Sequence, residues 1–103
     1  MLDTLKHTDF EPHVNSVFHL RILPDTSLQL MLTQVRLMNP IVAPATGAGR
    51  SRAFSLLFRG PRDPVLPQSM YTFEHETIGV IESLFIVPIG RDDQGTSYEA
   101  IFN

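Results

Sequence analysis

The chain has 103 residues, enough for one domain over its full length, 1–103, and too few for a second core. Hydrophobic residues make up 43% and charged residues only 18%, and the low charge argues against a disordered tail or a lone solvated helix. The net charge of -3 argues against a nucleic-acid partner, and the absence of cysteine excludes disulfides, thiolate nucleophiles and Cys-based zinc sites.

The N-terminus holds the one helix candidate. Thr8-Asp9-Phe10-Glu11 has the pattern of a capping box. With Asp9 as N-cap, Pro12 falls at the third helical position, where its missing N–H does no harm. One or two turns through Val14 are expected, with Leu5 and Phe10 pinning them to the domain. Met1 to His7 has no basic stretch followed by an apolar one, so no signal peptide is expected. No apolar run approaches the roughly 20 residues that span a bilayer. A cytoplasmic location, or a place in a particle, is the expectation, with no membrane partner.

From Val17 onward the period is two. Phe18, Leu20 and Ile22 alternate with His19 and Arg21, which predicts a half-buried strand. Pro24-Asp25-Thr26-Ser27 has turn chemistry. A second strand carries Leu28, Leu30 and Leu32 on one face. Near Thr33-Gln34 the phase slips, and Val35 and Leu37 take over the apolar face. A one-residue slip in a long strand predicts a β-bulge.

Asn39 to Arg52 is rich in Gly, Ala and Pro without periodicity, and is expected to be a long mobile loop. Ala53 to Arg59 returns to strand, with Phe54, Leu56 and Phe58 on one face. Gly60 to Pro67 holds Pro61, Pro64 and Pro67, so it cannot make a ladder and should be an arm crossing between strands. Met70 to Glu74 is a fourth strand, and Glu76 to Gly79 turns the chain. Val80 to Ile89 is a fifth strand, which Pro88 restricts to an edge or a bulge. Asp92 to Gly95 turns again, and Ser97 to Phe102 is the last strand.

About six strands without a crossover helix predict an all-β fold: a small antiparallel barrel or half-barrel with one short N-terminal helix. The bulge and the proline arm supply the bends that a barrel needs.

The second half carries a family pattern. It comprises Phe54-Ser55-Leu56-Leu57-Phe58-Arg59-Gly60-Pro61, Leu66-Pro67-Gln68, Tyr71, Glu74-His75, Leu84 to Gly90, and Tyr98 to Asn103. With Phe10, Val14 and Phe18 at the start, the chain resembles the bacterial family called domain of unknown function 6916 over nearly its whole length. Ser69 stands where the family tends to carry Gly. The resemblance implies a bacterial or phage origin and an association with phage-tail-like collar proteins. It implies no catalytic residues.

Chemistry is sparse. His75 lies between Glu74 and Glu76, and imidazole with carboxylate suits a transition metal. No His-x-His or His-Glu-x-x-His spacing accompanies it, so neither a metal nor a cofactor is expected. Ser69 and His75 are too far apart along one extended segment to form a nucleophile and base. Gly47-Ala48-Gly49-Arg50-Ser51 lacks the lysine and the following helix of a phosphate loop. Asp92-Asp93 is explained by turn formation.

Arg50, Arg52, Arg59 and Arg62 cluster in sequence, and seven of the eight basic residues are arginine. A planar guanidinium suits carboxylate or phosphate recognition at interfaces. The alternative is a solvated loop with local ion pairs. Two functions stay open. One is a non-enzymatic interaction or assembly module that binds a protein partner, or itself, through these arginines. The other is a ligand- or metal-binding barrel, conceivably an enzyme, with Tyr71, His75, Tyr98 and Glu99 projecting into a pocket.

Overall fold

The computed structural model describes residues 5–23, 25–37 and 53–102. The stretch expected as a loop, 39–52, lies outside the described residues, and Arg50 and Arg52 with it. A helix α1 (His7–Phe10) and a 3₁₀ turn (Glu11–His13) precede six strands. These are β1 (Val17–Leu23), β2 (Thr26–Leu37), β3 (Phe54–Gly60), β4 (Ser69–His75), β5 (Gly79–Asp92) and β6 (Gly95–Phe102).

The strands close into a barrel in the order β1-β2-β3-β6-β5-β4, every neighbour antiparallel. Alternation makes this the favourable solution. Each strand buries its apolar face inward, and closure gives every strand two neighbours. Inside lie Phe18, Leu20, Leu30, Leu32, Leu56, Phe58, Phe73, Ile86, Tyr98 and Ala100, all 0–1% exposed. Fully burying one such large side chain is worth about 1.5–3 kcal/mol.

Among the described residues four register shifts let the strands bend, one in β1 between Arg21 and Leu23 and three more in β2 and β5. In β2 the register with β3 slips between Leu32 and Gln34, leaving Thr33 as the extra residue. That is the slip visible in the sequence. Its hydroxyl donates to the Leu57 carbonyl at 3.1 Å. In β5 one extra residue opposes Thr72, where Ser83 takes φ +60°. Another slip follows Pro88, so the proline sits at a bulge and costs the ladder little. Because of these bulges β5 continues to Asp92, past the Ile89 boundary expected from alternation.

The N-terminal segment caps one mouth of the barrel. Phe10 is fully buried, its ring centroid 5.6 Å from that of Phe102 and 5.9 Å from that of Phe54. The helix starts earlier than the capping-box pattern implied. Lys6 is the N-cap, and Asp9, at the third helical position, accepts the Lys6 backbone N–H at 2.8 Å. Asp9 thus supplies the return half of a capping box, because a lysine side chain has no acceptor for the first turn.

The proline arm crosses from β3 to β4 past the ends of β5 and β6. The Thr96 hydroxyl donates to the Arg62 carbonyl at 3.2 Å, and Arg91 pairs with Asp63 at 3.0 Å. Leu66 is the arm's buried anchor.

Candidate functional site

Of the four arginines singled out by sequence, the described residues include Arg59 and Arg62. Arg59 points outward from β3. Its guanidinium donates to Ser97 Oγ at 3.1 Å and pairs with Asp92 Oδ1 at 2.5 Å. Asp92 Oδ1 also accepts the backbone N–H groups of Gln94 (2.8 Å) and Gly95 (3.1 Å), closing the β5–β6 turn. The Arg59 hydrogen bond, followed by that of Gln94, lowers the Asp92 carboxyl to a pKa of about 2. Arg62 is exposed and has no ion pair among the described residues. Arg91, outside the arginine cluster of the sequence, joins this end of the barrel through Asp63. Its only signal was its place immediately before the Asp92-Asp93 turn.

Tyr71, His75, Tyr98 and Glu99 do not share a pocket. Tyr98 is fully buried, and its phenol oxygen accepts the Leu66 N–H at 3.0 Å. The Tyr71 hydroxyl donates to the Pro67 carbonyl at 2.8 Å, and burial followed by the nearby Tyr98 raises its pKa. Both tyrosines therefore clamp the arm. Glu99 faces outward between Leu57 and Val87.

His75 belongs to a different place, the seam where the barrel closes. The β1–β4 ladder has three registered pairs, against seven for β3–β6. Between Ser16, Val17 and the end of β4, an open cleft of about 530 Å³ forms. Val17 and Val80 give it apolar walls, and His19, Glu74 and Glu76 give it polar ones. Arg21 forms an ion pair with Glu74 across the seam.

At the cleft floor His75 is only 6% exposed. Its Nδ1 accepts the backbone N–H groups of Thr77 (3.0 Å) and Ile78 (3.2 Å). That atom therefore carries no proton, and Nε2–H donates to Ser16 Oγ at 2.9 Å. Ser16 in turn donates to the His13 carbonyl at 2.5 Å. The His75 ring centroid lies 4.4 Å from that of Phe18 and 4.6 Å from that of His13. Burial first, then His13, lowers its pKa. A protonated Nε2 cannot take a proton from Ser16, so this pair is not a nucleophile and base. Among the described residues no three His, Asp or Glu side chains are grouped to hold a metal ion. No helix among them is long and apolar enough to cross a membrane.

A second surface was not anticipated. Met70 and Phe85 face each other across β4 and β5. Ile101 lies on β6 one residue beyond the Ile86–Ala100 pair. All three point outward, 64%, 44% and 49% exposed. The alternation of Phe85 and Ile101 with buried neighbours was legible, but the bulges that align them with Met70 across three strands were not.

Among known proteins, the family model for a domain of unknown function (DUF6916) matches residues 5–102. No curated protein and no solved structure matches the chain.

Proposed function

The chain belongs to the family of domain of unknown function 6916, and from that premise we propose that it is a non-enzymatic interaction module. It docks a protein partner, or a second copy of itself, on the outside of the barrel. The observation that carries this reading is the contrast between the two faces of the same strands. Their inward residues fill the interior, while Met70, Phe85 and Ile101 leave an apolar row on the exterior. Inward side chains occupy the barrel interior, and an exposed apolar row on the outside supports a docking role.

Arg59 and Arg62, together with Arg50 and Arg52 in the sequence, are its charged contacts. Arg62 is the best probe, because Arg59 already holds the Asp92 turn. Service in a phage-tail-like particle is the finer reading and rests on the family resemblance alone, with the cytoplasm or the particle itself as the location that goes with it.

The test is affinity capture from the native cells with quantified stoichiometry. Wild type is compared with a Met70→Ser/Phe85→Ser/Ile101→Ser chain and with Arg62→Glu, each checked for folding by its thermal transition. A complex lost in both folded variants supports the reading. A complex that both retain at full strength removes this face from consideration.

A further inference from the structure

His75 is the last residue of β4 and stands at the boundary of two environments. On the inner side it packs on Phe18 and His13, and both ring nitrogens are hydrogen-bonded. On the outer side it borders the seam cleft, which carries Glu74 and Glu76.

The inner position suits only the neutral ring. An imidazolium has two N–H donors and no acceptor. A proton on Nδ1 would face the N–H groups of Thr77 and Ile78, so two accepted hydrogen bonds would be lost and donors would be set against donors. The charge would also be buried against the rings of Phe18 and His13. The groups around it divide by sign. His13 on the 3₁₀ turn and His19 on β1 disfavour a positive charge, and Glu76 in the following turn favours it. Glu74 is already shared with Arg21. The facing β5 residues, Gly79 and Val80, are uncharged.

We propose that His75 is a proton-operated latch on the barrel seam. Neutral, it holds the β4–β5 turn and Ser16 together at the cleft floor. Protonated, its ring swings into the cleft beside Glu76, and the turn Glu76–Ile78 comes free. The movement stays local. The N-terminal cap keeps its other ties: the Asn15 N–H to the Leu32 carbonyl at 2.6 Å, the Leu32 N–H to the Ser16 carbonyl at 3.1 Å, and buried Phe10. The latch therefore changes the shape and charge of the cleft without unfolding the barrel. It does not depend on the docking row of β4, β5 and β6.

The experiment is amide exchange by NMR on the full chain, with protection corrected for intrinsic exchange, from about pH 7.5 to about pH 5. Losing two accepted hydrogen bonds should lower the protection of the Thr77 and Ile78 amides by about tenfold or more. Core amides of β3 and β6 should not change over the same range. His13→Gln removes a repelling neighbour and should move the midpoint to higher pH. His75→Gln, which does not titrate, should abolish the step. Should His75→Gln not fold, the wild-type imidazole ¹⁵N shifts give the same decision. Proton on Nε2 near neutral pH, with double protonation tracking the loss at Thr77 and Ile78, supports the latch. Thr77 and Ile78 amides that follow the core throughout, a step that survives in His75→Gln, or a ring protonated on Nδ1 at neutral pH would each overturn it.

Discussion

Tyr98, at the centre of β6, accepts the backbone N–H of Leu66 from the proline arm at 3.0 Å. The arm has no ladder of its own, so this buried bond and the Tyr71 bond to the Pro67 carbonyl hold it on the barrel. Tyr98→Phe keeps the ring and strands the Leu66 N–H without an acceptor, at a cost of about 1–3 kcal/mol. Tyr71→Phe exposes its partner carbonyl to water and should cost about 1 kcal/mol or less. Urea titration should show the larger midpoint loss for Tyr98→Phe with an unchanged slope. Equal losses would mean that the arm is not held in this way.

Two glycines on neighbouring strands should respond in opposite ways. Gly95 follows the β5–β6 turn at φ +154°, and an added Cβ would run into the backbone oxygen of Gly60. A backbone atom in a ladder cannot step aside, so Gly95→Ala should cost about 1–3 kcal/mol. Gly90 has nothing within 4 Å of the same added atom. Gly90→Ala should stay within about 0.5 kcal/mol of wild type. Thermal melts of the two variants side by side decide the point.

Asp92 sets an acid limit. Its folded pKa of about 2 lies below the ordinary 3.8, so its contribution is fully present above that ordinary value. It is lost as pH falls toward the folded value. Asp92→Asn keeps an oxygen acceptor for Gln94 and Gly95 but loses the charge facing Arg59, whereas Asp92→Ala loses both. Melting across the acid range should rank wild type above Asn and Asn above Ala near neutral pH. The Asp92→Asn deficit should vanish in strong acid.

His75 acts nearer to neutrality. Burial, followed by the nearby His13, holds its folded pKa below that of an ordinary imidazole, so at intermediate pH the unfolded chain binds the extra proton. The stabilisation is complete above the ordinary imidazole range and falls away as pH drops toward the folded value. Wild-type stability should thus decline on mild acidification, and His75→Gln should lose that part of the slope. An identical slope in both chains would show that the ring does not titrate differently on folding.

Much of the fold was legible because the strands alternate cleanly and the slip at Thr33-Gln34 announced its own bulge. The bulge at Ser83 was not legible, since Glu82-Ser83 is polar on both sides and breaks no apolar phase. The seam was hidden for another reason. Which strands close a barrel depends on pairing between β1 and β4, some fifty residues apart in the chain, and no local pattern encodes it. His75 stood out by its neighbours Glu74 and Glu76, yet its partners Ser16 and His13 come from that distant closure. Tyr98 and Glu99 were grouped as polar neighbours, but adjacent strand residues point to opposite faces.

An interaction module of the proposed kind works through the exterior of its barrel and carries no ligand inside. Native mass spectrometry of the purified chain and of its captured complex tests that claim directly. The predicted masses are those of polypeptides alone: the chain with a protein partner, or the chain with a second copy. A monomer carrying one equivalent of a metal or a small molecule would contradict it and return the seam cleft to the role of a ligand site.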